Sequence, residues 1–299
     1  MPELQSIQNI FTPETLESLT WLLRFLVVGA AAGFVGSLLG LGGGLITTPF
    51  ITIFMGIDIK YAVAASALVV IANSTGSTIN YLKENILNLR AAMFLEIFTA
   101  TGALIGALIT GIIAPALLYV LFSCLMLFSI GNMIHKLIAK NSEEPLPPKL
   151  SSKGAKKLKL PSHYYDRALK KDIAYGVKNV PTGSAIMFGA GIMSGMLGIG
   201  SGPFKVIAMD TAMKIPLKPS TSTSNLMMGV TACASAVVYF FNGMMIPEIS
   251  APIAIGVVAG AFIGTHVMPK IKPRILRIIF VPVMGYFAIN MLLKAFGLS

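Results

Sequence analysis

Two glycine-rich stretches are the part of this sequence best suited to hold a ligand. Gly40-Leu41-Gly42-Gly43-Gly44-Leu45-Ile46-Thr47-Thr48-Pro49 has a partner at Gly198-Ile199-Gly200-Ser201-Gly202-Pro203-Phe204-Lys205-Val206. Glycine opens backbone conformations closed to other residues, so the chain turns sharply there and presents bare amides. Each stretch leads into a short apolar run, Leu45–Met55 and Pro203–Met213. At about 1.5 Å per residue such a run reaches only half-way across a bilayer. Two hairpins entering from opposite faces would bring the turns together near mid-bilayer, with short helices starting at Leu45 and Pro203. The free N–H groups and positive dipole ends of such helices suit an anion. The expected binding residues are therefore Gly42, Gly43, Gly44 and Thr47 from the first stretch and Gly200, Ser201, Gly202 and Lys205 from the second. Glycine also serves close helix packing, the role expected of the Gly102/Gly106 and Gly260/Gly264 pairs.

Lys205 is the sharpest single residue, because a lysine inside an apolar segment normally has a partner or a ligand. Three readings stand open: contact with an anionic substrate, a pair with Asp210, or snorkelling to an interface. The next apolar segment of each half is rich in hydroxyl and amide groups. Ser66, Asn73, Ser74, Thr75, Ser77 and Asn80 are set against Thr221, Ser222, Thr223, Ser224 and Asn225. Such donors hold an oxyanion without adding fixed charge, and Ser66, Ser224 and Asn225 are assigned to the substrate. Many of the others serve as hydrogen bonds between helices. Glu96 and His266 are the candidates for carrying a coupling proton, His266 because its charge changes near neutral pH.

Catalysis is not expected. His135, His163 and His266 are far apart, no carboxylate pair or activated nucleophile is visible, and no Gly-x-x-x-x-Gly-Lys phosphate loop occurs. No cofactor and no metal is expected. Both cysteines, Cys124 and Cys233, lie in apolar segments, so a disulfide framework is not implied.

The elements that must position these residues follow from composition. Hydrophobic residues make up 55% of the chain and charged residues 12%, too few charges to clothe a soluble domain of this size. Ten apolar runs fall at 22–39, 45–55, 62–82, 91–113, 115–138, 183–197, 203–213, 220–241, 250–268 and 275–296. The stretch from Leu22 to Lys136 aligns without a gap on the stretch from Val180 to Lys294. That alignment matches Gly33 with Gly191, Lys60 with Lys218, Ser66 with Ser224, Tyr81 with Tyr239 and Pro115 with Pro273. Six glycine pairs coincide in it, several times more than chance would give. The fold class is thus all-α integral membrane: about ten transmembrane segments in two five-segment repeats, with two short half-helices after the glycine turns. An odd number per repeat inverts the second half relative to the first, giving inverted topology.

Charge sets the orientation. The net charge of +11 is segregated into loops, which points to a membrane and not to nucleic acid. With ten segments, most of the 23 Lys and Arg residues fall on one face, many of them in the linker. That face is cytoplasmic by the positive-inside rule, which puts both termini outside. The chain divides into an extracytoplasmic segment 1–20 without signal-peptide features, a first repeat 21–138, a basic cytoplasmic linker 139–178 and a second repeat 179–299. Asn141–Pro161 reads as a flexible tether. Ser162–Lys178 is either a continuation of that tether or a short helix on the membrane surface, anchored by Tyr164, Leu169, Ile173 and Tyr175.

The two glycine turns, with Lys205-Val206 and Thr221-Ser222-Thr223-Ser224-Asn225-Leu226-Met227-Met228-Gly229-Val230-Thr231-Ala232, resemble the sulfite exporter TauE/SafE family of membrane permeases. The resemblance covers both halves. It implies a secondary transporter, an exporter in direction, for small sulfur-containing anions such as sulfite or organosulfonates, with a proton as the candidate coupling ion. The family's pattern falls on Gly40, Gly42–Gly44, Pro49, Gly198, Gly200, Gly202 and Lys205. Ser201 replaces the middle glycine of the second turn, and Ile207 stands opposite Pro49. The alternatives are a transporter or channel for another small anion, or a non-transporting membrane accessory subunit. The expected partners are the anion, the bilayer of the cell membrane and the coupling proton, with oligomeric state left open.

Overall fold

The computed structural model describes residues 13–39, 42–138, 146–166, 170–267 and 273–298. In chain order the helices are α1 (Pro13–Leu39), α2 (Gly44–Phe54), α3 (Ile59–Lys83), α4 (Leu89–Ile112), α5 (Pro115–Ile138), α6 (Lys153–Lys157), α7 (Val180–Leu197), α8 (Gly202–Ile207), α9 (Leu217–Phe241), α10 (Pro247–Val267) and α11 (Pro273–Ala295). Two strands, β1 (Ser162–Asp166) and β2 (Lys171–Tyr175), lie in the linker. Eight of the described helices (α1, α3, α4, α5, α7, α9, α10 and α11) are long and apolar enough to cross a bilayer, and the chain is an integral membrane protein with an all-helical apolar body. Ile112, Phe241 and Phe262 point outward from it, as side chains facing lipid do. α1 already begins at Pro13, inside the stretch 1–20 expected to precede the first segment.

Helices in lipid gain no hydrophobic advantage from pairing, so small residues that let backbones touch decide which ones meet. α1 packs along α10, α4 along α7, α3 on α9 and α5 on α11. Exchanging each helix for its counterpart in the other repeat (α1 for α7, α3 for α9, α4 for α10, α5 for α11) maps this set onto itself. Glycines line the two tightest pairs. A Cβ at Gly33 would strike the Val257 backbone and one at Gly260 the backbone of Ala30; Gly102 and Gly106 press likewise on α7, and Gly191 and Gly195 on α4. The packing role expected of Gly102/Gly106 and Gly260/Gly264 is what they perform.

The short helices differ. α2 runs eleven residues with Pro49 inside it, and ends where Lys294 Nζ donates to the Thr52 carbonyl at 2.6 Å. The second apolar run is not one regular helix. α8 has six residues and passes into a π turn at Ala208–Ala212, after which the Lys178 amide donates to the Met213 carbonyl at 3.0 Å. Thus α2 ends beside the C-terminal end of α11, whereas α8 and its π turn end beside the linker.

Part of the linker is more ordered than its composition suggests. Ser162–Asp166 and Lys171–Tyr175 do not form a surface helix but pair as antiparallel strands, with Ser162 opposite Tyr175 and Tyr164 opposite Ile173. The sequence alternates with a period of two on β1, burying Tyr164 and Asp166 and exposing His163 and Tyr165. The buried side has specific partners. Asn88 caps α4 by accepting from the Ala91 amide, and its Nδ2 donates to the Leu160 carbonyl at 2.9 Å and the Tyr175 hydroxyl at 3.0 Å. The Asn88 amide donates to Thr223 Oγ1, and Lys218 pairs with Asp166 at 2.7 Å. Burial pushes the Tyr175 phenol up to about 12. The Leu169 anchor lies outside the described residues.

Candidate functional site: two glycine turns and a buried lysine

Both turns rely on backbone conformations that favour glycine. Gly42 and Gly43 have φ of 76° and 77°, and Gly198 and Gly200 have 65° and 71°. Ser201, the one non-glycine among them, adopts φ 44° and ties its hydroxyl to the Ala190 carbonyl at 2.6 Å. Gly43 caps α2 and Ser201 caps α8, so each short helix starts from a left-handed residue.

The turns touch. A Cβ on Gly44 would stand 3.0 Å from the Gly198 carbonyl oxygen and 3.2 Å from Ile199 Cα. Gly42 and Gly200 both abut Val70 of α3 and Met228 of α9, so these two side chains form a shared apolar floor between the turns. The Ser66 hydroxyl lies 2.9 Å from the carbonyls of both Val63 and Gly198 and shares its one proton between them, and Ser224 donates to the Gly202 carbonyl at 3.2 Å. Each hydroxyl assigned to the substrate therefore gives its proton to the chain itself, holding the second turn in shape. Thr47 similarly bonds the Gly43 carbonyl at 3.1 Å within α2. Asn225 is buried, its backbone carbonyl accepts from Ser74 Oγ at 2.5 Å, and neither of its side-chain amide atoms has a hydrogen-bond partner among the described residues. Gly40 and the His266 side chain lie outside the described residues.

Lys205 is fully buried. Its Nζ donates to the Met227 carbonyl at 3.0 Å and to Thr231 Oγ1 at 2.5 Å. Thr231 Oγ1 lies 2.6 Å from Glu96 Oε1 and 2.7 Å from the Met227 carbonyl. A hydroxyl has one proton to give, so while Thr231 accepts from Lys205 it donates to Glu96 or to Met227. The carboxylate reached through Thr231 is Glu96 on α4, not Asp210 of the neighbouring π turn. Glu96 Oε2 is buried without a hydrogen-bond partner among the described residues.

A second polar pocket lies on the first turn. Asn73 is fully buried, neither of its amide atoms has a partner among the described residues, and a Cβ on Gly36 would meet its Nδ2 at 3.2 Å and the Gly43 amide nearby. Thr48 Oγ1, one turn into α2, is likewise unpartnered. In the alignment of the two repeats Asn73 falls on Thr231, and Thr47 on Lys205.

Thr231 is the member that sequence reasoning left without a role. Glu96 stands out in the sequence as a charge within an apolar run, but nothing local joins it to Lys205, which lies in the other repeat and on a helix far along the chain. The available signal was charge: two opposite charges within apolar runs need one another more than either needs an interface. Among the described residues no three His, Cys, Asp or Glu side chains gather as a metal cluster.

The eight long apolar helices described, set around touching half-helix turns and a buried cation, define a multi-pass membrane protein of transporter class. The sequence profile of the sulfite exporter TauE/SafE family matches residues 25–291, and the chain belongs to that family. It is similar to a probable membrane transporter protein of Methanocaldococcus jannaschii, 28% identical over 93% of this chain and 97% of the relative. It also resembles two probable membrane transporter proteins of Bacillus subtilis. YunE is 26% identical over 80% of this chain and 84% of its own length, and YdhB 24% over 84% and 91%. No solved structure matches the chain. The family is one of sulfite exporters and these relatives are named as probable membrane transporters, so the chain is a transporter by family and not an enzyme.

Proposed function

We propose that the protein is a secondary transporter that exports small sulfur-containing anions, sulfite or organosulfonates, across the cell membrane by alternating access around the touching turns. The observation that carries this reading is the fully buried Lys205, one turn into α8, the short helix that starts from the second glycine turn. A buried ammonium is costly, and one placed where irregular backbone lies deep in a helical bundle calls for an anion. Membership of the sulfite exporter family supports the substrate class.

The architecture proposed is ten segments in two inverted repeats. It is supported by helix pairings that survive exchange of one repeat for the other, and by the opposite ends of the bundle at which α2 and α8 terminate. The charge bias makes the linker face cytoplasmic and both termini extracytoplasmic. Within the site, α2 supplies free amide groups at its start, Lys205 supplies the charge, and Ser66 and Ser224 hold the second turn in shape. The test is flux of labelled sulfite in proteoliposomes, comparing wild type with Lys205→Ala at matched protein. Saturable flux lost in the variant is the expected outcome. A wild type that moves neither sulfite nor a simple sulfonate contradicts the substrate class.

A further inference from the structure

We propose that Glu96 carries a proton with each anion, and that Lys205 alternates between two partners: the Glu96 carboxylate when the site is empty and the anion when it is loaded. The inference rests on the transport reading above and adds its energetic coupling. Lys205 is held through Thr231 against Glu96 Oε1, in a chain of contacts of 2.5 and 2.6 Å. Both charged groups are buried, and the turns lie at the base of the helix that bears Lys205. While Glu96 is ionised, its charge satisfies the ammonium and a second anion meets a site already neutral. Once Glu96 takes a proton, the ammonium is left without a counter-charge in a low-dielectric surrounding, and an incoming anion restores neutrality. Proton and anion therefore bind together and leave together.

The proton has a defined place. Glu96 Oε2 has no hydrogen-bond partner among the described residues, so its lone pairs are free to take a proton while Oε1 keeps Thr231. Few other charges compete. α7, packed along α4, brings no titratable side chain between Val180 and Leu197. α9 brings the Cys233 thiol on the same stretch as Thr231, with Lys218 and Tyr239 towards its two ends. α8 brings Lys205, and Asp210 lies in the π turn beyond it. Arg90, on α4 itself, is exposed near the linker, where it donates to the Lys159 carbonyl. A sulfonate with one proton crosses as a neutral pair. The sulfite dianion with one proton carries a single negative charge, which an inside-negative potential drives outward.

The experiment follows anion flux and internal pH in the same proteoliposomes, at clamped potential. A simple alkyl sulfonate is the main probe, since it has no proton of its own to lose near neutral pH, and sulfite is the second. Wild type is expected to move about one proton with each sulfonate, in the same direction, with flux rising as pH falls. In Glu96→Gln any sulfonate flux moves no protons and loses its pH dependence, while Glu96→Asp retains both. Wild-type sulfonate flux without proton movement overturns this proposal and leaves the transport reading intact, whether or not the variants fold. Proton movement that persists with the anion in Glu96→Gln overturns it too. Absence of flux for both anions in wild type overturns the two together.

Discussion

The two polar pockets behind the turns occupy equivalent positions in the two repeats, yet they differ in kind. On the α8 side stand Lys205, Thr231 and Glu96, joined by short hydrogen bonds. On the α2 side the corresponding residues are Thr47 and Asn73, with Ala254 at the position that corresponds to Glu96. On the charged side Lys205, Thr231 and Glu96 Oε1 are bonded in a row, which leaves Glu96 Oε2 unpartnered among the described residues. The neutral side is open, with both amide atoms of Asn73 unpartnered among the described residues. The turns are alike while what backs them is not. Backbone amides are enough to make two meeting turns, and a single pocket supplies the charge and its counter-charge.

The largest effect is expected from breaking the bridge. Thr231→Val keeps the shape but removes a hydroxyl that serves both charges, at about 1.5–3 kcal/mol for each charge-assisted bond. Thermal denaturation in detergent should show a clear loss of stability, and flux should fall with it. The mirror substitution should do the opposite to stability. Asn73→Leu removes a buried amide whose unmet hydrogen bonds cost about 1–3 kcal/mol, so the melting temperature should hold or rise. Its flux should nevertheless drop if the open amide serves the anion; stability and transport both unchanged would show the neutral side to be a bystander.

Between these lies the backbone. Gly198→Ala places a side chain at φ 65° against the Val63 carbonyl and the Ser66 hydroxyl. The left-handed conformation alone costs about 1–2 kcal/mol, so the variant should melt several degrees lower and transport poorly.

How much of this was legible in the sequence depends on the range of the interaction. The long apolar helices, the short ones and the glycine turns all announce themselves locally, through run length and residue type. The floor of Val70 and Met228 does not, because two ordinary apolar residues give no sign of which turns will rest on them. The Lys205–Thr231–Glu96 bridge spans three helices, and a threonine in an apolar helix usually bonds its own backbone, as Thr52 and Thr101 do here. Ser66 and Ser224 were conspicuous as donors, but only tertiary structure reveals that their protons go to Gly198 and Gly202. The hairpin was hidden by the basic, proline-rich stretch before it, although Tyr164 and Asp166 already alternate with His163 and Tyr165 on β1.

The smallest effect concerns that hairpin. Tyr175→Phe removes one acceptor of Asn88, worth about 1 kcal/mol, and should raise protease sensitivity of the linker with little change in flux. The pH dependence has a fixed sign. The phenol ionises near pH 10 when the hairpin is undocked and only at about 12 when docked. Docking is therefore unaffected below about pH 10 and weakens as pH rises from there towards 12. Limited proteolysis across that range checks it, and Tyr175→Phe should remove this contribution.

Direct binding tests the central claim most plainly. Equilibrium binding of labelled sulfite to purified protein would compare wild type with Lys205→Ala and Thr47→Ala, substitutions at equivalent positions of the two repeats. The asymmetry predicts saturable binding in wild type, a fall of at least tenfold in affinity for Lys205→Ala, and only a few-fold change for Thr47→Ala. Equal affinity in wild type and Lys205→Ala would contradict it, and would move the anion away from the charged side of the turns.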